Sequence, residues 1–400
     1  VYMRVLHIVE ATIAGVRTHV QTLATGLNPR RFQSVVACPL RRQNSFGDDQ
    51  FVHDLTSAGI RVVPVAMQRS IGPLGDAAAL SRLSLILRRE QFDLIHLHSS
   101  KAGFLGRAAA RLAGVAAPVV YSPHGFAFLG AGHPARRRAY LALEQLAGPW
   151  CDRIIAVSPG ERTIALHAGL AGPDQVVCIP NGIAPVRLPP AYDRAAMRRQ
   201  LGQPSGAPLI GTVARLAAQK NPRLFLDAAA RVLRARPDVR FVWCGGGELA
   251  DLARAQAHAL GIAPACQFLG HRDDAAQVLA ALDMFWLTSD YEGMPLAPLE
   301  AMALHVPIVA SDVVGTRDLL QGTAGLLVPP RDPAAFADAA LRLLGNPGRR
   351  AQLAQAGYRH YLEQGTSRRM LDAVEQLYAE LAANRTYRIA MPVAASEPVA

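Results

Sequence analysis

Thirteen short apolar runs, four to eight residues long and rich in Val and Ile, recur along the chain from "RVLHIVE" near its start to "AGLLVP" at Ala324 to Pro329. Stretches rich in Ala, Leu and Arg, with apolar residues at helical spacing, separate most of them. Continuous apolar runs are the signature of strands buried on both faces. Alternation with helices buries such strands in a parallel sheet covered on both sides. The pattern breaks once, in the Pro- and Gly-rich "APVRLPPAYDRAAMRRQLGQPSGAP" from Ala184 to Pro208, and then restarts. The expectation is therefore two α/β units in tandem, residues 3–185 and 208–365, joined by a linker at 186–207. A length of 400 residues suits two domains. From about Asp332 the pattern is helical to the region of Ala383, and the aperiodic tail 385–400 is expected to be mobile.

Composition narrows the function. The chain is 50% hydrophobic and 18% charged, which supports large cores and excludes a disordered protein. No apolar run reaches the length of a membrane span, and no charged-then-apolar leader opens the sequence. Met3, after Val1 and Tyr2, reads as the true start. Five scattered cysteines without metal-type spacing suggest reduced thiols in a cytoplasmic protein. Residues 1–185 carry 19 Lys/Arg against 11 Asp/Glu, whereas residues 186–400 carry 23 against 20. The basic first half favours an anionic partner: a lipid surface, a pyrophosphate or a nucleic acid. No basic-plus-aromatic motif supports nucleic acid. Only two of the 42 basic residues are lysines, Lys101 and Lys220, which draws attention to both.

In open α/β sheets ligands bind beyond the carboxyl ends of the strands, so loops after strands should carry the chemistry. In "TSDYEGMPLAPLEAMALHVPIVAS" (Thr288 to Ser311), Glu292 lies in such a loop and Glu300 eight residues on, with no basic neighbour in sequence. Pro298 is expected in the first turn of the next helix, which makes Glu300 a first-turn residue. Glu300 then suits either a ligand or the helix dipole. Glu292 suits hydroxyl groups, from which a carboxylate accepts hydrogen bonds. Amides of Gly293 to Ala297 at the helix start suit a phosphate.

In "GTVARLAAQKNP", Arg215 and Lys220 follow a strand end, as a diphosphate site requires, although either alone also reads as a solvated surface cation. In "HLHSSKAGFLGRAAARLAGV", Ser99 or Ser100 should cap a helix that begins near Lys101. A cation in that first turn opposes the dipole unless an anion is near, so Lys101 reads as an acceptor- or phosphate-side residue or as a plain exposed lysine. His124 in "YSPHGFAF" also follows a strand. Ala14 and Gly15 let the backbone approach a ligand, and "CGGGEL" (Cys244 to Leu249) is a glycine turn after a strand. No Asp-x-Asp pair, Walker loop or Gly-x-Ser-x-Gly elbow occurs.

Together, "EGMPLAPLEAMA", "ARLAAQKNP", "IPNGI", "GGGEL", "PIVASDVVGTRDLL" and "GLLVPPRDP" resemble glycosyltransferase family 4, the retaining sugar-nucleotide transferases of the GT-B fold. The likeness spans about residues 3–380, and the segment from "HLHSSK" to "SPHGFAF" resembles the subgroup that builds bacterial capsule, exopolysaccharide and lipopolysaccharide. The resemblance implies two Rossmann-like domains facing across a cleft, acceptor side first and donor side second, with a last helix (about 366–383) crossing back to the first. It implies that Glu292 holds donor-sugar hydroxyls and Glu300 the ribose, while Arg215 and Lys220 neutralise the diphosphate in place of a metal. Amides of Met294, Pro295's neighbour Leu296 and the Gly293 loop would meet sugar and phosphate. Gly15 would let the first-domain loop reach the phosphates, His124 would touch the donor sugar, and Gly246, Gly247 and Glu248 would line the base pocket. Neither cofactor nor metal is implied. The implied partners are a nucleotide-diphosphate sugar, a saccharide or lipid-pyrophosphate-linked saccharide acceptor, and an anionic membrane at the cytoplasmic face. Departures are His305, where the family has Gly and a left-handed turn is expected, and Ala14-Gly15, where it has Gly-Gly. Rival readings are a nucleotide-sugar 2-epimerase on the same fold and a non-catalytic nucleotide-sugar-binding subunit.

Overall fold

A computed structural model gives the structure of the protein and describes residues 2–40, 48–68, 70–130 and 132–390. All thirteen apolar runs are strands. The first seven are β1 (Met3–Val9), β2 (Phe32–Cys38), β3 (Arg61–Pro64), β4 (Leu94–His98), β5 (Val119–Ser122), β6 (Arg153–Ala156) and β7 (Val176–Cys178). The last six are β8 (Leu209–Val213), β9 (Arg240–Cys244), β10 (Cys266–Gly270), β11 (Met284–Leu287), β12 (Ile308–Ser311) and β13 (Leu326–Val328). They form two separate sheets, ordered β3-β2-β1-β4-β5-β6-β7 and β10-β9-β8-β11-β12-β13, with every paired strand parallel. Helices cover both faces, as the unbroken apolar runs require.

Each order reverses direction at one place, between β1 and β4 in the first sheet and between β8 and β11 in the second. At such a switch point the loops from two adjacent strands diverge to opposite faces and leave a crevice. The two crevices face each other. Loops after β5, β6 and β7 touch loops after β11 and β12: the Gly160 amide donates to Asp318 Oδ2 at 2.7 Å, and Asn181 Nδ2 donates to the Met294 carbonyl at 2.9 Å. A Cβ built on Gly293 would stand 3.0 Å from the Gly125 amide nitrogen, so glycine is what lets those two loops meet.

The chain crosses between the sheets twice, and the crossings lie side by side. Outbound, the Ile183 amide donates to the Gly365 carbonyl at 2.9 Å; on return, the Ser367 amide donates to the Ile183 carbonyl at 2.8 Å. The final helix, Ser367–Ala390, then lies on the first sheet. Its Met370, Val374, Leu377 and Tyr378 pack with Met3, Val5, Phe32, Leu94 and Val120. This is the crossing-back helix that the resemblance implied. It runs further than expected, because residues 385–390 are helical; the rest of the tail lies outside the described residues. The second core is built on interlocked aromatics, with Trp286 against Phe225, Phe241 and Phe336 at 5.4–5.5 Å between ring centroids.

At the double crossing, Gly182 has no room for a side chain: a Cβ would stand 2.2 Å from the Thr366 carbonyl oxygen. Gly182→Ala should therefore lower the unfolding free energy by about 1–3 kcal/mol, as overpacking does. Urea denaturation checks this, and an unchanged midpoint would contradict the crossing geometry.

Candidate active site

At the second switch point, β8 ends at Val213 and the chain makes a 3-10 turn, Ala218–Lys220. Asn221 follows at φ 48 and caps the helix Pro222–Ala235, its Oδ1 accepting from the Leu224 amide at 3.0 Å. That turn is stitched to the loop after the neighbouring strand β11. Thr288 Oγ1 donates to the Lys220 carbonyl at 2.8 Å, the Asp290 amide to the Gln219 carbonyl at 2.9 Å, and Asn221 Nδ2 to Asp290 Oδ1 at 2.9 Å. The result places Lys220 against Glu292. Its ammonium donates to Glu292 Oε1, Ser289 Oγ donates to the same oxygen at 2.5 Å, and Gln219 Nε2 donates to Oε2 at 3.2 Å. The Glu292 carboxylate is buried and the Lys220 side chain is one-fifth exposed.

Glu292 has no basic neighbour in sequence, yet it has one in space, 72 residues away. Arg215 sits half-buried on the same strand-end segment, just before that turn.

Glu300 differs from the sequence reading in another way. The helix spans Leu296–Ala303 with Pro295 as its cap, two residues earlier than expected. Pro298 still falls in the first turn, where no N–H is needed, but Glu300 lies beyond it and does not complement the dipole. Burial pushes the Glu300 carboxyl above its ordinary range. No hydrogen bond or ion pair to its side chain occurs among the described residues, which leaves a carboxylate in want of donors.

The loop between them is held from the first domain. Asn181 takes the Met294 carbonyl through Nδ2, and its backbone amide meets Met294 Sδ at 3.2 Å. A Cβ on Gly15 would sit 3.8 Å from Leu296, so the first-domain loop does reach this helix start. Ala14 takes φ 57, a left-handed value at which glycine would be unstrained. His305 likewise takes φ 55, as expected of a position suited to glycine, and its ring stacks on Tyr358 at 3.9 Å. In the glycine turn after β9, the Leu216 amide donates to the Gly246 carbonyl at 2.8 Å. A Cβ on Gly247 would stand 2.3 Å from the Leu216 carbonyl oxygen, so the turn must be glycine to lie against the Arg215 segment. Glu248 is exposed beside it.

Lys101 is engaged within the first domain. The anion its position calls for is Asp76, whose Oδ2 accepts from the ammonium at 2.5 Å, with the Ser70 carbonyl at 3.0 Å. The lysine ties its helix, Ser100–Ala113, to the helix Pro73–Arg89. Ser99 precedes that helix at φ 72 and makes no side-chain cap.

At the first switch point stand five histidines, of which the sequence reading singled out one. His7 on β1 and His96 on β4 are register partners, and His98 is two residues on, on the same face. His19 comes from the helix after β1, and His124 from the loop after β5 at φ 54. His7 Nδ1 lies 3.2 Å from His98 Nε2, and His98 Nδ1 lies 3.2 Å from His124 Nε2. The rings of His19 and His124 are 4.4 Å apart. His96 is fixed from both sides, by Tyr378 of the final helix at 2.6 Å and by Ser122 at 2.8 Å. Burial lowers all five pKa values, His7 to about 3 and His19 to about 4, with neighbouring imidazoles adding to the effect in His7, His96, His98 and His124. The loop that carries His124 is anchored by Glu161, whose carboxylate accepts from the Gly125 amide at 2.6 Å and the Val157 amide at 2.7 Å. Burial raises Glu161 to about 7. The "HLH" at the end of β4 was the available signal, but it acquires meaning only once β1 is known to pair with β4.

Among known families, the profile described as "Glycosyl transferase 4-like domain" matches residues 14–182, and that of "Glycosyl transferases group 1" matches residues 207–346. A UDP-Gal:alpha-D-GlcNAc-diphosphoundecaprenol alpha-1,3-galactosyltransferase of Escherichia coli is 34% identical over 280 residues, covering 69% of this chain and 72% of that protein. A D-inositol 3-phosphate glycosyltransferase of Salinispora tropica is 30% identical over 367 residues, covering 82% of this chain and 76% of that protein. Among solved structures, Anabaena HepE in complex with UDP and glucose superposes with a TM-score of 0.80 at 22% identity, covering 94% of this chain and all of that one. Sucrose-phosphate synthase of Thermosynechococcus elongatus does so at 0.80 and 20%, covering 96% of this chain and all of that one. These two structures establish likeness of fold.

The histidine cluster has a consequence for acid stability. Each imidazole has an unfolded pKa near 6.5 and a depressed folded one, so its contribution is fully present above pH 6.5 and is lost as pH falls toward the folded pKa. For His7 and His19 the windows run from 6.5 down to about 3 and about 4. Within its window each group removes up to about 1.4 kcal/mol per pH unit. The melting temperature should fall steeply between pH 7 and pH 5, with a shallower slope in His7→Gln. A wild-type melting temperature that is flat across that range would contradict neutral, buried imidazoles.

Proposed function

The chain belongs to glycosyltransferase family 4, a glycosyltransferase with a nucleotide-sugar donor, and from that premise we propose that it transfers the sugar with retention and without a metal to a lipid-pyrophosphate-linked saccharide during cell-surface polysaccharide synthesis. The observation that carries this reading is the Lys220–Glu292 pair at the second switch point, with Arg215 on the same strand end. A leaving diphosphate develops negative charge, and fixed cations in a partly dry cleft stabilise it without reorganisation. Arg215 and Lys220 take that task, which in other transferases falls to a carboxylate-bound metal. Glu292 then holds sugar hydroxyls, and Glu300, unpartnered and pushed toward neutrality, holds the ribose.

The acceptor hydroxyl attacks the anomeric carbon from the face that the diphosphate leaves. The carbon–oxygen bond to phosphate breaks as the new glycosidic bond forms, and a departing phosphate oxygen takes the hydroxyl proton. Configuration is kept with no enzyme base. His124, Gly15, Met294 to Leu296 and the Gly246–Glu248 turn complete the donor envelope from both domains, and closure of the crevices excludes water.

The acceptor assignment is supported by the name of the E. coli relative, which acts on a diphosphoundecaprenol-linked sugar, and by the basic balance of residues 1–185. Among the described residues no helix is long and apolar enough to cross a membrane. The acceptor would then be met by peripheral contact of the basic first domain with an anionic cytoplasmic membrane face.

The test is transfer of label from UDP-, GDP- and ADP-sugars to membranes bearing lipid-pyrophosphate sugars, with and without chelator. One donor should give a chelator-insensitive lipid-linked product, and Arg215→Gln should slow it by about 10²–10³-fold. Failure of every donor, or strict dependence on added metal, would overturn the proposal.

A further inference from the structure

The histidine cluster exceeds what sugar transfer asks of the first domain. Of its five rings, the reading above uses only His124. The others are buried at the switch between β1 and β4, a place with a crevice but no apolar reason to collect imidazoles. Two groups of three histidines each present one ring nitrogen within 4.8 Å of the other two: His7, His96 and His98, and His19, His98 and His124.

Hydrogen bonding separates the two groups. Both nitrogens of His96 are already engaged, by Tyr378 and Ser122, so the first group has one ligand too few. Each group also holds one buried ring nitrogen without a hydrogen-bond partner, His7 Nε2 in the first and His19 Nδ1 in the second, so it is the engagement of His96 that sets the second group apart. Leaving such a nitrogen dry costs about 1–3 kcal/mol unless something takes it up. His98 Nδ1 and His124 Nε2 stand 3.2 Å apart. Two nitrogens on a tetrahedral ion with bonds of about 2.0–2.1 Å stand about 3.3 Å apart. The outer shell is in place as well. A His98 that ligates through Nδ1 carries its proton on Nε2, and His7 Nδ1, 3.2 Å away, is the acceptor for it. His124 is half-buried, whereas His19 and His98 are buried, so an ion would enter from the His124 side.

We infer that His19, His98 and His124 form a site for one borderline-soft divalent transition ion, of which Zn²⁺ is the type, with His7 as its outer-shell support. The ion differs in kind from the metal that the transfer step dispenses with. Three imidazoles select Zn²⁺, Co²⁺ or Ni²⁺ over Mg²⁺, which prefers oxygen. Occupation would take the lone pair of His124 and place positive charge beside the Gly125–Gly293 contact. On the reading of His124 as a donor-facing residue, the ion inhibits transfer.

The experiment titrates the purified full chain with Co²⁺ and follows the visible absorption of the ion, then displaces it with Zn²⁺. Wild type should bind one Co²⁺ per chain with the strong absorption of a four- or five-coordinate nitrogen site. His19→Ala and His98→Gln should each abolish that signal. His7→Ala should weaken binding by about 10–100-fold while leaving the spectrum unchanged. His19→Ala tests the claim even if the more deeply buried His98 variant fails to fold. Absorption typical of a six-coordinate aqua ion, or His19→Ala binding Co²⁺ as well as wild type, would overturn the site. Co²⁺ binding that is lost in His19→Ala, with transfer unaffected by Zn²⁺, would uphold the site and overturn only its placement against the donor.

Discussion

The ion pair between Lys220 and Glu292 is where the second domain is drawn together. It joins the turn after β8 to the loop after β11, on the two strands between which the sheet reverses direction. The surrounding contacts serve that junction. Thr288, Asp290 and Gln219 fix the backbone, Ser289 and Gln219 saturate the carboxylate, and Asn221 caps the following helix while gripping Asp290. A buried carboxylate left unpaired is costly, and removing one member of a buried pair typically costs about 3–5 kcal/mol. The lysine therefore holds the Glu292 side chain in place before any donor arrives. A diphosphate then competes for the lysine just as sugar hydroxyls become available to the carboxylate. The pair is a preorganised pocket whose two charges are satisfied by each other until the substrate divides them.

The first domain mirrors this arrangement with different chemistry. Its switch point lies between β1 and β4, and neutral imidazoles occupy it where the second has an ion pair. The final helix couples them to the rest of the molecule, because Tyr378, which anchors His96, belongs to the segment that crosses back past Gly182 and Gly365. Cleft geometry and histidine packing thus depend on the same double crossing. Gly293 and Gly125 are small for one shared reason: the two sets of loops meet there backbone to backbone.

Much of this was legible in the sequence, and the rest was hidden for definable reasons. The strands could be read because a buried strand writes its burial into four or five adjacent residues, and all thirteen were found. The left-handed turn at His305 could be read because the resembled family has Gly at this helix end, a position that Gly suits best when left-handed. The Lys220–Glu292 contact could not, since it joins residues 72 positions apart and exists only because β8 and β11 are neighbours. An absence of bases nearby in sequence therefore says nothing about the base that the fold supplies. The same blindness hid the histidines on β1 and β4. Lys101 shows the converse. Its need for an anion was read correctly, but the anion is Asp76 of the neighbouring helix. Pro298 marks the first turn of the helix but not its first residue, because a proline fits anywhere in that turn, so the start at Leu296 is not legible from it.

The central claim is that Lys220 serves the diphosphate, Glu292 serves the sugar, and they hold each other only in the absence of both. Its most direct test compares nucleoside-diphosphate affinity with single-turnover transfer in Glu292→Gln, Lys220→Met and the double variant. The account predicts that Glu292→Gln loses about 10²–10³-fold or more in transfer while diphosphate affinity is kept or improved by the freed lysine, whereas Lys220→Met loses both. If Glu292→Gln weakens diphosphate binding as much as Lys220→Met does, the pair is structural and the division of labour is wrong.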